Sequence, residues 1–301
     1  MAHHLHIDPF SGIAGDMFLG ACIDLGVDLD AIRSALAKLP VERPYEITTR
    51  RVQRHGIGAV DLKVRLLDEP QSAEAAPADV VGHHKHDHSH DHHHDHEHDH
   101  SHSHEHTHAH DHGHHHHHHT GYREIMAMVD ELDTTQRGRE RARRVVTKLA
   151  QAEARVHAKS LDDIHFHEVG AVDSIVDMLG SVAALELLDV ETVSCGPLPI
   201  SRGFVKCDHG IMPIPAPATA YLLQGMPTVG VDRTGELVTP TGAALIAGIC
   251  DHYGPAPPMT LKEVGYGAGD RQNPDVPNLL RLLLGETNKT GDLGPLTPQQ
   301  N

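Results

Sequence analysis

The chain has 301 residues, with 42 Asp and Glu against 25 Lys and Arg, a formal net charge of −17 with histidine neutral. With no Trp, four Phe and five Tyr it lacks both the basic footprint and the stacking platforms of a nucleic-acid binder. No apolar run approaches the roughly 18 residues of a transmembrane helix, the start Met-Ala-His-His-Leu-His is no signal peptide, and Cys22, Cys195, Cys207 and Cys250 are too sparse for a disulfide scaffold. The expectation is a reduced, soluble, cytoplasmic protein with neither a nucleic-acid nor a membrane partner.

In chain order, residues 5–10 read as a strand, followed by the turn Ser11-Gly12-Ile13-Ala14-Gly15-Asp16 and a helix over 17–25. A second helix over 28–39 is closed by Pro40. Residues 45–49 and 59–67 read as strands around His55-Gly56-Ile57-Gly58, a hairpin-like loop. Composition then turns to Pro, Ala, Glu and Ser, and next to a window from His83 to His119 holding 23 of the chain's 32 histidines and one apolar residue. A packed structure is not expected there. Without that window the apolar share rises to roughly 44%, an ordinary globular level.

Order is expected to resume at Gly121. Helices are predicted over 122–132 and 134–159, the second with a capping-box-like start at Asp133 and Gln136. Its Arg137, Arg139, Arg141, Arg143 and Arg144 read as a solvated face or an anion contact. Residues 172–188 read as a buried apolar helix. Strands over 191–200, 228–231, 261–266 and 279–284 then alternate with helices over 216–224 and 240–251. The fold class is α/β, short strands alternating with helices around a disordered insert. The expected divisions are 1–70, the insert 71–120, 121–286, and a frayed tail 287–301.

The histidine tract is the strongest compositional signal. Imidazole suits nickel, zinc and copper. The alternating His86, His88, His90, His92, His94, His96, His98 and His100, interleaved with Asp and Glu, offer many ligand sets without fixed geometry. That pattern suits holding or delivering metal, with a passive linker as the alternative.

A second constellation is Ile164-His165-Phe166-His167-Glu168-Val169-Gly170-Ala171-Val172-Asp173-Ser174-Ile175-Val176-Asp177. In extended backbone His165 and His167 share a side, and Asp173 and Asp177 share a helix face. Asp177 lies in an otherwise apolar helix, where an unpaired carboxylate is costly. Together these residues could form one metal site. Alternatively, Asp173 caps the helix and the histidines are satisfied polar groups.

Three loops could cradle an anion. Ser11, Gly12, Gly15 and Asp16 precede a helix; Thr239, Thr241 and Gly242 open another with Thr as cap and Pro at its first position. Gly265-Tyr266-Gly267-Ala268-Gly269-Asp270-Arg271 reads as a flexible glycine loop beside a guanidinium. None matches a phosphate-loop or dinucleotide fingerprint, and ordinary turn chemistry is the alternative for each. Cys207-Asp208-His209 could ligate metal, although a lone short group of this kind is more often structural.

Several segments resemble one family: Asp8-Pro9-Phe10-Ser11-Gly12-Ile13-Ala14-Gly15-Asp16-Met17, the histidine tract, His165-Phe166-His167-Glu168-Val169-Gly170-Ala171-Val172-Asp173-Ser174, Gly203-Phe204-Val205-Lys206-Cys207, Pro213-Ile214-Pro215-Ala216-Pro217-Ala218-Thr219, and Gly235-Glu236-Leu237-Val238-Thr239-Pro240-Thr241-Gly242. They are similar to the nickel insertion proteins of nickel-pincer nucleotide synthesis, across about residues 5–286. The resemblance implies a cyclometallase of the lyase class. Its reaction inserts nickel into pyridinium-3,5-bisthiocarboxylic acid mononucleotide, with CTP and Mg or Mn, for a lactate racemase-type apoenzyme. That chemistry asks for a base near the metal, for which Glu168, Asp173 or a neutral imidazole could serve. It also asks for labile ligands, with His165, His167 and Asp177 as candidates, and for donors to a phosphate. The family continues past a segment like residues 278–286 into a domain that binds the metal–CTP complex. The polar end of this chain is therefore expected to leave that domain to a separately encoded or frameshift-joined partner. A non-enzymatic nickel store or metallochaperone is the competing class, and a metal-dependent hydrolase built on His165 and His167 a third.

Overall fold

The structure, a computed structural model, describes residues 2–68, 120–166, 169–207, 209–271 and 273–287. The histidine tract, His167, Glu168, Asp208 and the polar end, for which the sequence raises expectations, lie outside these residues. Residues on both sides of segment 81–118 fold into one unit.

The expected α/β alternation is present. β1 (Ala2–Asp8) places Leu5 and Ile7, both fully buried, on one face and His4, His6 and Asp8 on the other. After it come α1 (Gly15–Asp24) and α2 (Leu29–Leu36). Asp28 caps α2 by accepting from the Asp30 N–H at 3.1 Å. β2 (Tyr45–Arg54) and β3 (Ile57–Leu66) pair antiparallel around a turn with positive φ at His55 and Gly56. Both strands extend beyond the predicted limits, up to that two-residue turn.

Beyond the tract, α3 (Tyr122–Glu131) and α4 (Gln136–His157) form a helix pair. The cap of α4 is Thr135, whose hydroxyl accepts from the Gly138 N–H at 3.0 Å. It displaces the capping box expected from Asp133 and Gln136, because the Asp133 N–H is committed to the Ala35 carbonyl. The arginines of α4 are committed to protein partners, with Arg141 buried, Arg137, Arg139 and Arg143 half-buried and Arg144 exposed. Arg141 is buried against Glu186 at 2.7 Å and the carbonyls of Val190 and Glu191. Arg137 also meets Glu186, Arg143 pairs with Asp130, and Arg139 and Arg144 donate to the carbonyls of Thr134 and Gly248. The cluster clamps α4 to its neighbours.

A 3-10 turn (Leu161–Asp163) precedes α5 (Val172–Leu187), which is largely buried as its apolar sequence requires. The single strand expected over 191–200 is two, β4 (Thr192–Cys195) and β5 (Leu198–Arg202), because the chain leaves the main sheet after Cys195. β6 (Phe204–Cys207) and β7 (Gly210–Pro213) form an unanticipated hairpin. Then follow α6 (Pro217–Leu222), β8 (Thr228–Thr234), α7 (Pro240–Ile249), β9 (His252–Tyr253), β10 (Thr260–Ala268) and β11 (Leu279–Thr287).

The main sheet has the order β2-β3-β10-β11-β1-β4-β9, while β5 pairs with β8 and β6 with β7. From the pairings, β1, β3, β4, β9 and β10 point the same way, and β2 and β11 run opposite. Helix α1 lies across β3, β10 and β11, and α5 packs on α1 and α2. The predicted glycine loop 265–271 is mostly strand. Gly265 and Gly267 belong to β10, where a Cβ would collide with the α1 carbonyls of Ala21 and Met17. Their role is close helix–sheet packing. No described helix is long and apolar enough to cross a membrane.

Candidate functional site

In open α/β sheets, crevices for ligands form beyond the carboxyl ends of the parallel strands, where loops carry the chain into helices. Here that end gathers the turn after β1, the late residues of β3, the segment after β10 and the starts of α1, α5 and α7.

The turn at residues 11–16 is fixed by close approaches. Gly12, at φ +116°, sits under the Leu237 carbonyl with no room for a Cβ. The Ile13 N–H donates to that carbonyl at 2.8 Å, and the Thr239 N–H donates to the Ile13 carbonyl at 3.0 Å. Gly242 packs on the Ile13 backbone. The two predicted anion loops are thus laid side by side. Thr239 caps α7 through the Gly242 N–H at 3.2 Å and lies 3.0 Å from the Thr241 hydroxyl. Arg233 donates to the Ser11 hydroxyl at 3.2 Å, and Arg271 donates to the Glu236 carbonyl at 3.2 Å.

Gly15, the first residue of α1, brings that helix onto α5: a Cβ there would stand 2.7 Å from the Asp177 Cβ. The Asp16 N–H then donates to the Asp177 carboxylate, placing the negative charge at the α1 N-terminus. The other oxygen, Asp177 Oδ1, is buried with no hydrogen-bond partner. Asp16 Oδ1 accepts from the Met17 N–H at 2.8 Å, and Oδ2 lies 3.6 Å from Lys63 Nζ. Lys63 also reaches Asp61 at 2.9 Å and Asp270 at 2.5 Å, while Arg50 holds Asp61 at 2.8 Å.

Four carboxylates, Asp16, Asp61, Asp177 and Asp270, therefore interact with one ammonium, and Asp173 acts on Asp177. Burial pushes the Asp16 carboxyl up to about 6, with Lys63 opposing and Asp270 and Asp61 adding to the rise. Burial also lifts Asp177, reinforced by the charges of Asp16 and Asp173. Burial works against the Lys63 charge, yet Asp16, Asp270 and Asp61 hold its pKa above the ordinary value. Asp61 is driven down despite burial, by the Lys63 charge 2.9 Å away and the hydrogen bond from Arg50. The settled pair is Lys63–Asp61. The unsettled pair is Asp16–Asp177, two interacting carboxyls that burial and each other's charge push upward.

Thus Asp16, read in the turn after β1, comes together with Asp173 and Asp177 of the second constellation, beside the turn of Ser11, Gly12 and Gly15 that packs against Thr239, Thr241 and Gly242. His165 is exposed and bridges to Gly121 at the start of α3. Among the described residues, no group of three or more His, Cys, Asp or Glu side chains is placed to hold a metal ion. Sequence reasoning gave no role to Lys63, Asp61 and Arg233, and read Asp270 only as part of the glycine loop. The available signal was Asp61, Lys63 and Arg65 at every second position of β3, where charges on one face need partners.

Comparison with known proteins decides the family. The nickel insertion protein family matches residues 5–296. The chain belongs to that family. Relatives carrying nickel insertion protein names include one from Citrifermentans bemidjiense, 40% identical over 94% of this chain and 61% of its own length. Those of Wolinella succinogenes and Syntrophotalea carbinolica are 39% and 41% identical, covering 94% and 93% of this chain and 60% and 59% of their own. The chain spans about three fifths of the length of these relatives. No solved structure matches it.

Proposed function

We propose that this chain provides the deprotonating and substrate-holding part of a CTP-dependent cyclometallase of the lyase class. It inserts nickel into pyridinium-3,5-bisthiocarboxylic acid mononucleotide to form a nickel-pincer cofactor for a lactate racemase-type enzyme. The observation that carries this reading is the Asp16–Asp177 pair: two interacting, partly buried carboxyls, one at about 6, beyond the carboxyl ends of the strands of a nickel insertion protein.

The reaction forms a nickel–carbon bond with the electron pair of a ring C–H and must send the proton elsewhere. A carboxyl pair that holds one proton near neutral pH is matched to that task. Asp16 takes the proton, Asp177 tunes it, and Asp173 at the α5 start adds to the negative field that attracts incoming Ni2+. Substrate phosphate is placed beside Arg233, Arg271 and the start of α7, where a helix N-terminus favours an anion. His165, His167 and Glu168 supply labile ligands to nickel on its way to the ring. The histidine tract, His86 to His100 included, holds the ion before transfer. The metal–CTP complex is left to the portion present in the longer relatives.

The test is reconstitution of apo-racemase with nickel, CTP, Mg or Mn and the precursor, using this chain with and without that remaining portion. Asp16→Asn and Asp177→Asn should each reduce cofactor formation by about 10²–10⁴-fold, the usual range for a general base. Full activity in both would overturn the assignment. Tight nickel binding with no cofactor in any combination would establish the nickel store instead.

A further inference from the structure

The β6–β7 hairpin carries the two most exposed large apolar side chains among the described residues, Phe204 at 72% and Ile211 at 67%. Phe204 pairs with Pro213 and Lys206 with Ile211, and the period of two along each strand puts these four side chains on one face. All four residues are exposed, while Val205, Cys207 and Met212 on the opposite face are half-buried. We propose that the exposed face is the docking surface for the portion of the protein that the longer relatives carry and this chain lacks.

The hairpin is held in place. The Ile214 N–H donates to the Gly203 carbonyl at 3.0 Å and closes its base, where Gly203 takes φ +118°. At its turn the His209 ring lies against that of His157, with centroids 4.9 Å apart. Two strands of four residues make no stable sheet by themselves, and among the described residues neither has a further strand neighbour. A fixed apolar face beside two open strand edges marks a surface that another polypeptide covers.

Length, area and charge choose the occupant. The relatives are 39–41% identical to this chain over 59–61% of their own length, so about two fifths of each is further polypeptide attached to the shared part. Contacts between domains of one chain cover about 600–1,500 Å², a scale that one hairpin face and its rim can serve, whereas obligate homodimers bury about 2,000 Å² or more. A second copy would also set this face against itself. Lys206 would then be buried without a carboxylate, because β6 and β7 carry none, and each copy brings a net charge of −17. The partner surface is therefore apolar, with a carboxylate placed to meet Lys206. The base of the hairpin adjoins the candidate site, since the Gly235 N–H donates to the Arg202 carbonyl at 3.2 Å, two positions past Arg233 and two before Phe204. A portion seated here stands next to the arginine assigned to substrate phosphate; that placement, though not the docking, rests on the function proposed above.

The experiment uses this full chain with the remaining portion of the Citrifermentans bemidjiense relative, supplied separately and also joined to it in one polypeptide. Amide hydrogen exchange over residues 204–213 should slow in the joined protein relative to this chain alone. In titrations with the separate portion, Phe204→Asp and Ile211→Asp should each weaken binding about 30-fold, the loss typical of an interface anchor. Leu67→Asp, at another exposed leucine, should leave it unchanged. Because both hairpin side chains are mostly exposed, the two variants should unfold at the wild-type temperature. Where the separate portion does not fold, the joined protein decides, and the same two substitutions should restore fast exchange across the hairpin. Unchanged exchange on joining, or equal affinity in all variants, would overturn the docking. A dimer of this chain alone that Phe204→Asp dissociates in sedimentation would overturn it too, by giving the face to a second copy. Neither readout uses cofactor formation, so failure of the docking and failure of the Asp16–Asp177 assignment are seen separately.

Discussion

Replacing Asp177 by Asn tests whether the carboxyl pair stores unfavourable energy for function. The shape is kept, the Asp16 N–H retains an oxygen to donate to, and one charge is lost. Asp16 moves from an ordinary 3.8 to about 6, roughly two units at 1.36 kcal/mol each, so ionising it in the folded protein costs about 3 kcal/mol. Between those two values the folded state binds more protons than the unfolded chain. Stability therefore falls as pH rises through about 4–6 and stays low above it. Asp177, raised by burial and by Asp16, works in the same direction. The variant should accordingly be more stable than wild type by about 1–3 kcal/mol at pH 7.5, some 2–4 °C per kcal/mol in a domain of this size. The gain should shrink at pH 5, where the wild-type pair is already protonated. Calorimetric unfolding at both pH values measures this, beside cofactor formation, which should collapse. Equal destabilisation at both pH values would refute the reasoning, because it would mean that the charged pair is satisfied.

Other consequences reach further into the fold. Gly15→Ala places a methyl 2.7 Å from the Asp177 Cβ and should cost about 1–3 kcal/mol by overpacking, read as a lower denaturant midpoint, while also disturbing activity. Glu186→Gln leaves buried Arg141 without its counter-charge and should cost about 3–5 kcal/mol; the double change Arg141→Met with Glu186→Leu should recover most of that midpoint. Serine at His86, His88, His90, His92, His94, His96, His98 and His100 should lower nickel stoichiometry in calorimetry at pH 7.5. The binding lost should be the part that weakens as pH falls through about 6.5, where protons compete for imidazole; unchanged stoichiometry would count against a storage role.

The order of strands and helices was legible because hydrophobic period and turn residues are local signals. Asp28, Pro40 and the His55-Gly56 turn announce themselves within a few positions. What escaped depends on partners far along the chain. The roles of Gly265 and Gly267 are visible only once α1 is laid on β10, and a glycine-rich strand then reads in sequence as a loop. The arginines of α4 look solvated at helical spacing, yet Arg141 finds Glu186 and two carbonyls beyond α5. The cost of a carboxylate at Asp177 was readable from its apolar helix. Its relation to Asp16, 161 positions earlier, was not.

That long-range meeting explains why the glycines of residues 11–16 are more than turn chemistry. A phosphate loop uses glycine to open its N–H groups to an anion. Here Gly12 admits the Leu237 carbonyl and Gly15 admits Asp177, so the α1 N-terminus already receives an anion from the protein itself. The helix start that would bind phosphate instead partly offsets the rise that burial imposes on the Asp177 pKa. Phosphate binding is thereby left to the start of α7 and its flanking arginines, and proton transfer to the start of α1. The short contact between Ile13 and Thr239 ties these two functions together, because any shift of one helix start drags the other. A substrate whose phosphate docks at Thr239–Gly242 would therefore press on the same backbone that positions Asp16. In this way binding energy at a remote group can be spent on placing the base.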